Sequence, residues 1–186
     1  MAREYPTVII TPEMLDEAER LIPSTRVKRT VASKIDTLTG HLGEFAFAAY
    51  FFGDWRKHRV GKNKGQSDFE DIEIKTSAFP FSERLNLLVR EDYARKRKPP
   101  FYVQIIIDVN ARNAGEIPPG AKAYICGFAT SGEVDRAPKR DFGSKFGGSG
   151  GYLCHYICIK NLREMGAFLN AYADWRSLLK SHRLRR

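Results

Sequence analysis

Asp68, Glu73 and Lys75 lie in the run Ser67-Asp68-Phe69-Glu70-Asp71-Ile72-Glu73-Ile74-Lys75-Thr76, where acids and a lysine alternate with isoleucines. In an extended strand alternate side chains share a face, so Glu73 and Lys75 project together while Ile72 and Ile74 enter a core. If Glu70-Asp71 closes a two-residue hairpin, Phe69 lies opposite Ile72 and Asp68 opposite Glu73, on one face. A continuous strand would bring Asp71 onto that face instead. The hairpin reading selects Asp68 and leaves Asp71 as a turn residue. Opposed carboxylates repel, and a bound divalent cation is their usual compensation. The chemistry open to this group is cation binding by carboxylates beside an ammonium.

Two further polar residues stand where apolar ones are expected. From Leu42 to Phe52 the chain is apolar on nearly every side, with Gly53 as a helix stop, so this helix is expected to be buried. Glu44 is its only charge, and a buried carboxylate needs an ion pair, hydrogen bonds or a metal. The helix dipole offers a weaker alternative near the N-terminus. Phe101 to Asp108 reads as a central strand buried on both sides, and Gln104 is its odd member.

The order Gly43-Glu44, Asp68, Glu73-Ile74-Lys75, with Thr76-Ser77 after the lysine, resembles the Asp…Glu-x-Lys core of the PD-(D/E)xK nuclease superfamily. The resemblance covers the helix of Glu44, the hairpin and the strand of Gln104. It implies a restriction-endonuclease-like α/β fold, a mixed central β-sheet flanked by helices. It further implies phosphodiester hydrolysis with Mg²⁺, for which Mn²⁺ can substitute. Asp68, Glu73 and Glu44 would then be metal ligands, Lys75 would orient or help deprotonate water and offset charge on the phosphate, and Gln104 would face the site. The function implied is a DNA endonuclease. A catalytically inactive DNA-binding protein of the same fold and an RNA-directed nuclease stay open as alternatives, as does a protein-binding module whose charged strand is a salt-bridged edge.

Composition points the same way. The formal net charge of +9 attracts polyanions, and no apolar run is long enough to span a membrane. Nucleic acid, most naturally DNA, is the expected partner. Arg56, Lys57, Arg59, Lys62 and Lys64 form a basic connector ahead of the hairpin and are candidates for phosphate contact. Lys139, Arg140 and Lys145 are further candidates, in a Gly/Ser-rich segment, 138–151, that reads as a mobile loop. A basic tail, 180–186, follows. Cutting two strands usually takes two sites, which makes a homodimer an expectation.

Cys126, Cys154 and Cys158 lack paired metal-ligand spacing and read as reduced, buried thiols. Met1 to Pro6 lacks the plan of a secretory signal, so a cytoplasmic location is the default. No Walker loop, dinucleotide fingerprint or His-Glu-x-x-His pattern occurs. The 186 residues fit one domain. Its remaining elements are expected to be a helix from Thr11-Pro12 stopped by Pro23, a strand or short helix at 85–89 and a strand at 123–129. A turn at Thr130-Ser131-Gly132, a strand at 152–159 and a helical apolar stripe of Leu162, Met165, Leu169, Tyr172, Trp175 and Leu179 complete the reading.

Overall fold

The computed structural model describes residues 3–25, 34–58, 67–96, 98–111, 115–142 and 152–183. Arg59, Lys62, Lys64 and Lys145, with the end of the basic tail, lie outside them. The fold is mixed α/β, built on two sheets. Sheet 1 contains β1 (Thr7–Ile9), β5 (Lys122–Thr130), β4 (Phe101–Ile107) and β2 (Ile72–Ala78), in the order β1-β5-β4-β2. β2 pairs with β4 in parallel and the other two pairings are antiparallel, so the sheet is mixed, as expected. Sheet 2 contains β3 (Asn86–Arg90), β7 (Leu153–Cys158) and β6 (Lys139–Asp141), in the antiparallel order β3-β7-β6.

β4 is buried along its whole length, which suits its run of aromatic and β-branched residues between two partner strands. One face of sheet 1, with Ile72, Ile74, Phe101, Val103, Ile105 and Ile107, packs against α1 (Pro12–Thr25), α2 (Lys34–Phe52) and the start of α5 (Phe168–Arg183). The other face packs Tyr102, Ile106, Cys126 and Ala129 against Leu87, Val89 and Ile157 of sheet 2. A second sheet, which the sequence reading did not include, covers this face. Two short helices, α3 (Glu91–Lys96) and α4 (Ser131–Arg136), contribute Ala94 and Val134 to the same core.

Several local expectations change for physical reasons. Pro23 does not end α1 but sits inside its last turns. α2 is longer than its apolar run, and its final turn is open to solvent at Tyr50 and Phe52. Gly53 stops it with φ of 71°, a left-handed conformation that suits glycine. Thr130 is a helix cap: its hydroxyl accepts from the Glu133 N–H while the Glu133 carboxylate accepts from the Thr130 N–H, and this capping box opens α4. Lys139 to Asp141 belong to a strand, not to a mobile loop. Leu169 is 64% exposed, whereas neighbouring Phe168 is fully buried, because short 3-10 turns at Ile159–Asn161 and Met165–Ala167 reset the helical phase before α5 begins. All three cysteines are free thiols, Cys126 and Cys154 buried.

A β-bulge interrupts the β4–β5 ladder between Gln104 and Ile105, leaving Cys126 as the extra residue. The Cys126 carbonyl is satisfied by the Arg3 guanidinium at 3.2 Å, and the same guanidinium reaches the Leu162 carbonyl at 2.8 Å. Gly127, with φ of 138°, leaves room for this strap.

Candidate metal and catalytic site

The hairpin forms at Glu70-Asp71. Phe69 and Ile72 exchange both backbone hydrogen bonds, at 3.0 and 2.8 Å, and Glu70 takes a left-handed φ of 48°. β2 is thereby delivered as the edge strand of sheet 1. Register places Glu73 beside Tyr102 and Lys75 beside Gln104 on β4, so these four project from one face while Ile72 and Ile74 fill the helical core.

Asp68 and Asp71 part company at the turn. An Asp68 carboxylate oxygen accepts the Ile74 N–H at 2.8 Å, which holds this side chain against β2 beside the Glu73–Lys75 row. Asp71 instead accepts from Arg176 of α5 at 3.2 Å, and Glu70 accepts from the same guanidinium at 3.1 Å. The turn is thus the hairpin, with Asp68 held against β2 and Asp71 turned to α5.

Glu44 arrives from α2. A Cβ built on Gly43 would lie 2.7 Å from Cβ and Cγ2 of Thr76, so the missing side chain is what lets α2 rest directly on β2. The next residue, Glu44, is driven into the same region. Its carboxyl is held well above the usual carboxylate range, first by burial and then by the charges of Asp68 and Glu73. One of its oxygens, Oε2, is buried without a hydrogen-bond partner, as is Thr76 Oγ1. The charges of both Asp68 and Glu73 therefore act on Glu44.

Lys75 Nζ donates to Glu73 Oε1 at 2.7 Å, with the two side chains 29% and 13% exposed. Glu73 is turned to Lys75 and Asp68 to a backbone N–H. Among the described residues no three His, Cys, Asp or Glu side chains already stand in a group able to hold a metal. The donor types nonetheless suit Mg²⁺ or Mn²⁺: all are oxygen, the charges of Asp68 and Glu73 act on Glu44, and Glu44 Oε2 is buried without a partner. Rotation of side chains would be needed to chelate one.

The remaining candidates are more scattered. Gln104 is 1% exposed and donates from Nε2 to the Ile105 carbonyl at 3.0 Å. It supplies a hydrogen bond at the bulge, which is core work, although its register neighbour is Lys75. Arg56 and Lys57 are exposed in a 3-10 turn, Trp55–Lys57, that follows α2. Arg56 pairs with Asp54 at 3.8 Å and lies over the Trp55 ring. Trp55 and His58 both pack on Phe45, so this turn is anchored one residue from Glu44. Lys139 and Arg140 sit on sheet 2; Lys139 pairs with Glu91 at 2.8 Å, and Arg140 lies over Phe142.

Sequence reasoning missed the Arg176 brace, which spans 105 residues and has no local signature. It also missed the contact of Gly43 with Thr76, although a glycine inside an otherwise strong helix is a signal of close approach. No helix among the described residues is long and apolar enough to cross a membrane. No family model, curated protein or solved structure matches this chain.

Proposed function

We propose that this protein is a Mg²⁺-dependent DNA endonuclease of the PD-(D/E)xK type, with a restriction-endonuclease-like arrangement of hairpin, edge strand and core helix. The observation that carries the reading is that the charges of Asp68 and Glu73 act on Glu44, one of whose oxygens is buried and unpartnered, while Glu73 is paired with Lys75. A buried carboxylate beside two others is costly, and a fold retains such a cost where the charge is used.

In this reading Asp68, Glu73 and Glu44 would hold the cation, which, when bound, activates water and draws charge from the phosphate. Lys75, partly exposed on the same face as Glu73, would orient the attacking water and offset charge developing on the phosphate oxygens. The hydrogen bond from the Ile74 N–H holds the Asp68 carboxylate against the outer edge of β2. Net charge of +9 favours a polyanionic substrate, and two-strand cutting would call for two copies of the site.

The test is cleavage of supercoiled plasmid, branched DNA, single strands and RNA in Mg²⁺, Mn²⁺ or EDTA. Metal-dependent cutting of DNA, abolished in Glu73→Ala and in Lys75→Ala, is the expected result. Cutting of RNA alone would replace DNA as the substrate. Tight, salt-sensitive DNA binding with no cutting of any substrate would replace the nuclease by an inert DNA-binding protein.

A further inference from the structure

We propose that the outer face of sheet 2 is a platform for single-stranded nucleic acid, on which unpaired bases stack. Alternation along the strands separates two faces. Leu87, Val89, His155 and Ile157 point inward, with Leu87 and Val89 nearly fully buried. Their neighbours lie on the opposite face: Leu88 is opposite Tyr156, and Arg90 and Arg140 flank Cys154, itself buried, from the two outer strands. Tyr152 and Phe142 continue the same alternation just beyond β7 and β6.

The outward face of such an antiparallel sheet is ordinarily polar. Here it carries Tyr152 and Phe142, 43% and 40% exposed, with Leu88 and Tyr156 beside them. Each arginine is associated with a ring. The Arg90 guanidinium lies 3.7 Å from the centroid of Tyr152 and that of Arg140 lies 5.8 Å from Phe142, whose ring meets Tyr156 edge-on at 5.7 Å. Arg90 is shared with Asp92 at 2.8 Å.

Partly exposed rings beside guanidinium groups match one polymer better than others. Every base has a π-face that stacks on an aromatic ring, and the phosphate between bases takes a guanidinium. A duplex keeps its bases stacked internally and cannot offer them to a flat sheet, whereas single strands can. The net charge of +9 supplies the long-range attraction. The proposal does not rest on hydrolysis, since stacking needs no metal.

The experiment is fluorescence anisotropy in EDTA with a labelled oligo(dT) of about 15 nucleotides, within the length one stacking domain covers, and with a matching duplex. The single strand is expected to bind at least ten-fold tighter than the duplex. Tyr152→Ala and Phe142→Ala should each weaken it about 5- to 100-fold. Arg140→Gln should weaken it and lower the slope of log affinity against log salt by about 0.7. All three positions are exposed, so thermal unfolding should match the parent; if Phe142→Ala fails to fold, Tyr152→Ala and Arg140→Gln still decide. Equal affinity for duplex and single strand, or undiminished affinity in both ring variants, would overturn the platform. So would a self-association lost in the ring variants without any effect on oligonucleotide binding, which would make the face a protein contact. Because cutting is excluded by EDTA, failure here leaves the plasmid-cleavage test of the nuclease site standing, and loss of cutting in Glu73→Ala leaves this binding untouched.

Discussion

Gly43→Ala tests whether close seating of α2 on β2 is what delivers Glu44. The added Cβ would lie 2.7 Å from Cβ and Cγ2 of Thr76, and closer still to its hydroxyl. Ordinary carbon contacts begin near 3.5 Å, so helix and strand must separate by somewhat under about 1 Å. Overpacking costs about 1–3 kcal/mol, and an overlap this deep falls in the upper part of that range, about 2–3 kcal/mol. Replacing a helical glycine by alanine returns about 0.8–1.0 kcal/mol. The balance is a loss of about 1–2 kcal/mol, which for a chain of this size lowers the thermal midpoint by about 2–8 °C. Thr76→Ala in the same background should recover part of it, since Cγ2 and the unpartnered hydroxyl go while the Thr76 Cβ stays at 2.7 Å. A double-mutant cycle followed by urea unfolding should give a coupling of about 1 kcal/mol. Displacing Glu44 by a similar distance should lower plasmid cutting by up to about 10²-fold, more than the stability loss alone explains. A Gly43→Ala protein as stable as the parent, or a loss that Thr76→Ala does not ease, would refute the reasoning.

Gly127→Ala should be the more damaging glycine substitution. Its φ of 138° is strained for alanine, and the new Cβ would meet the Arg163 carbonyl at 2.5 Å and Arg3 Nη2 at 2.8 Å. Strain and clash together predict a loss of about 3–5 kcal/mol, read from chemical denaturation. His41 predicts a pH dependence: burial first, and neighbouring His58 second, hold its imidazole below its ordinary value. The unfolded chain therefore takes up this proton before the folded one, so stability falls as pH drops through about 6.5, and His41→Gln should flatten that slope in unfolding midpoints measured between about pH 5 and pH 8. Arg176→Gln removes the brace from Glu70 and Asp71 at the turn that presents Asp68. Since Arg176 and Glu70 are exposed and Asp71 half-buried, the thermal midpoint should move little, while limited proteolysis at the turn rises and cutting falls; unchanged cutting would count against the brace.

The hairpin was legible because a two-residue turn and a period-two pattern are local facts, and a single choice of turn decides which aspartate faces Glu73. The strand of Gln104 was legible from its continuous apolar run, and the helix of Glu44 from the lone charge in it. The helix stripe slipped by one residue, from Leu169 to Phe168, because 3-10 turns alter phase without leaving a mark in apolar spacing.

What the residues alone determined is a mixed α/β chain with acids and a lysine at the spacing of one strand face, since alternation and turn length follow from backbone geometry. How closely α2 seats on β2, and that Arg176 holds the turn, depended on the packing of α2 and α5 against the sheet. Sheet 2 was equally out of reach as a unit: β3, β6 and β7 pair across long stretches of chain, and register between distant strands is set by what the buried face excludes from water.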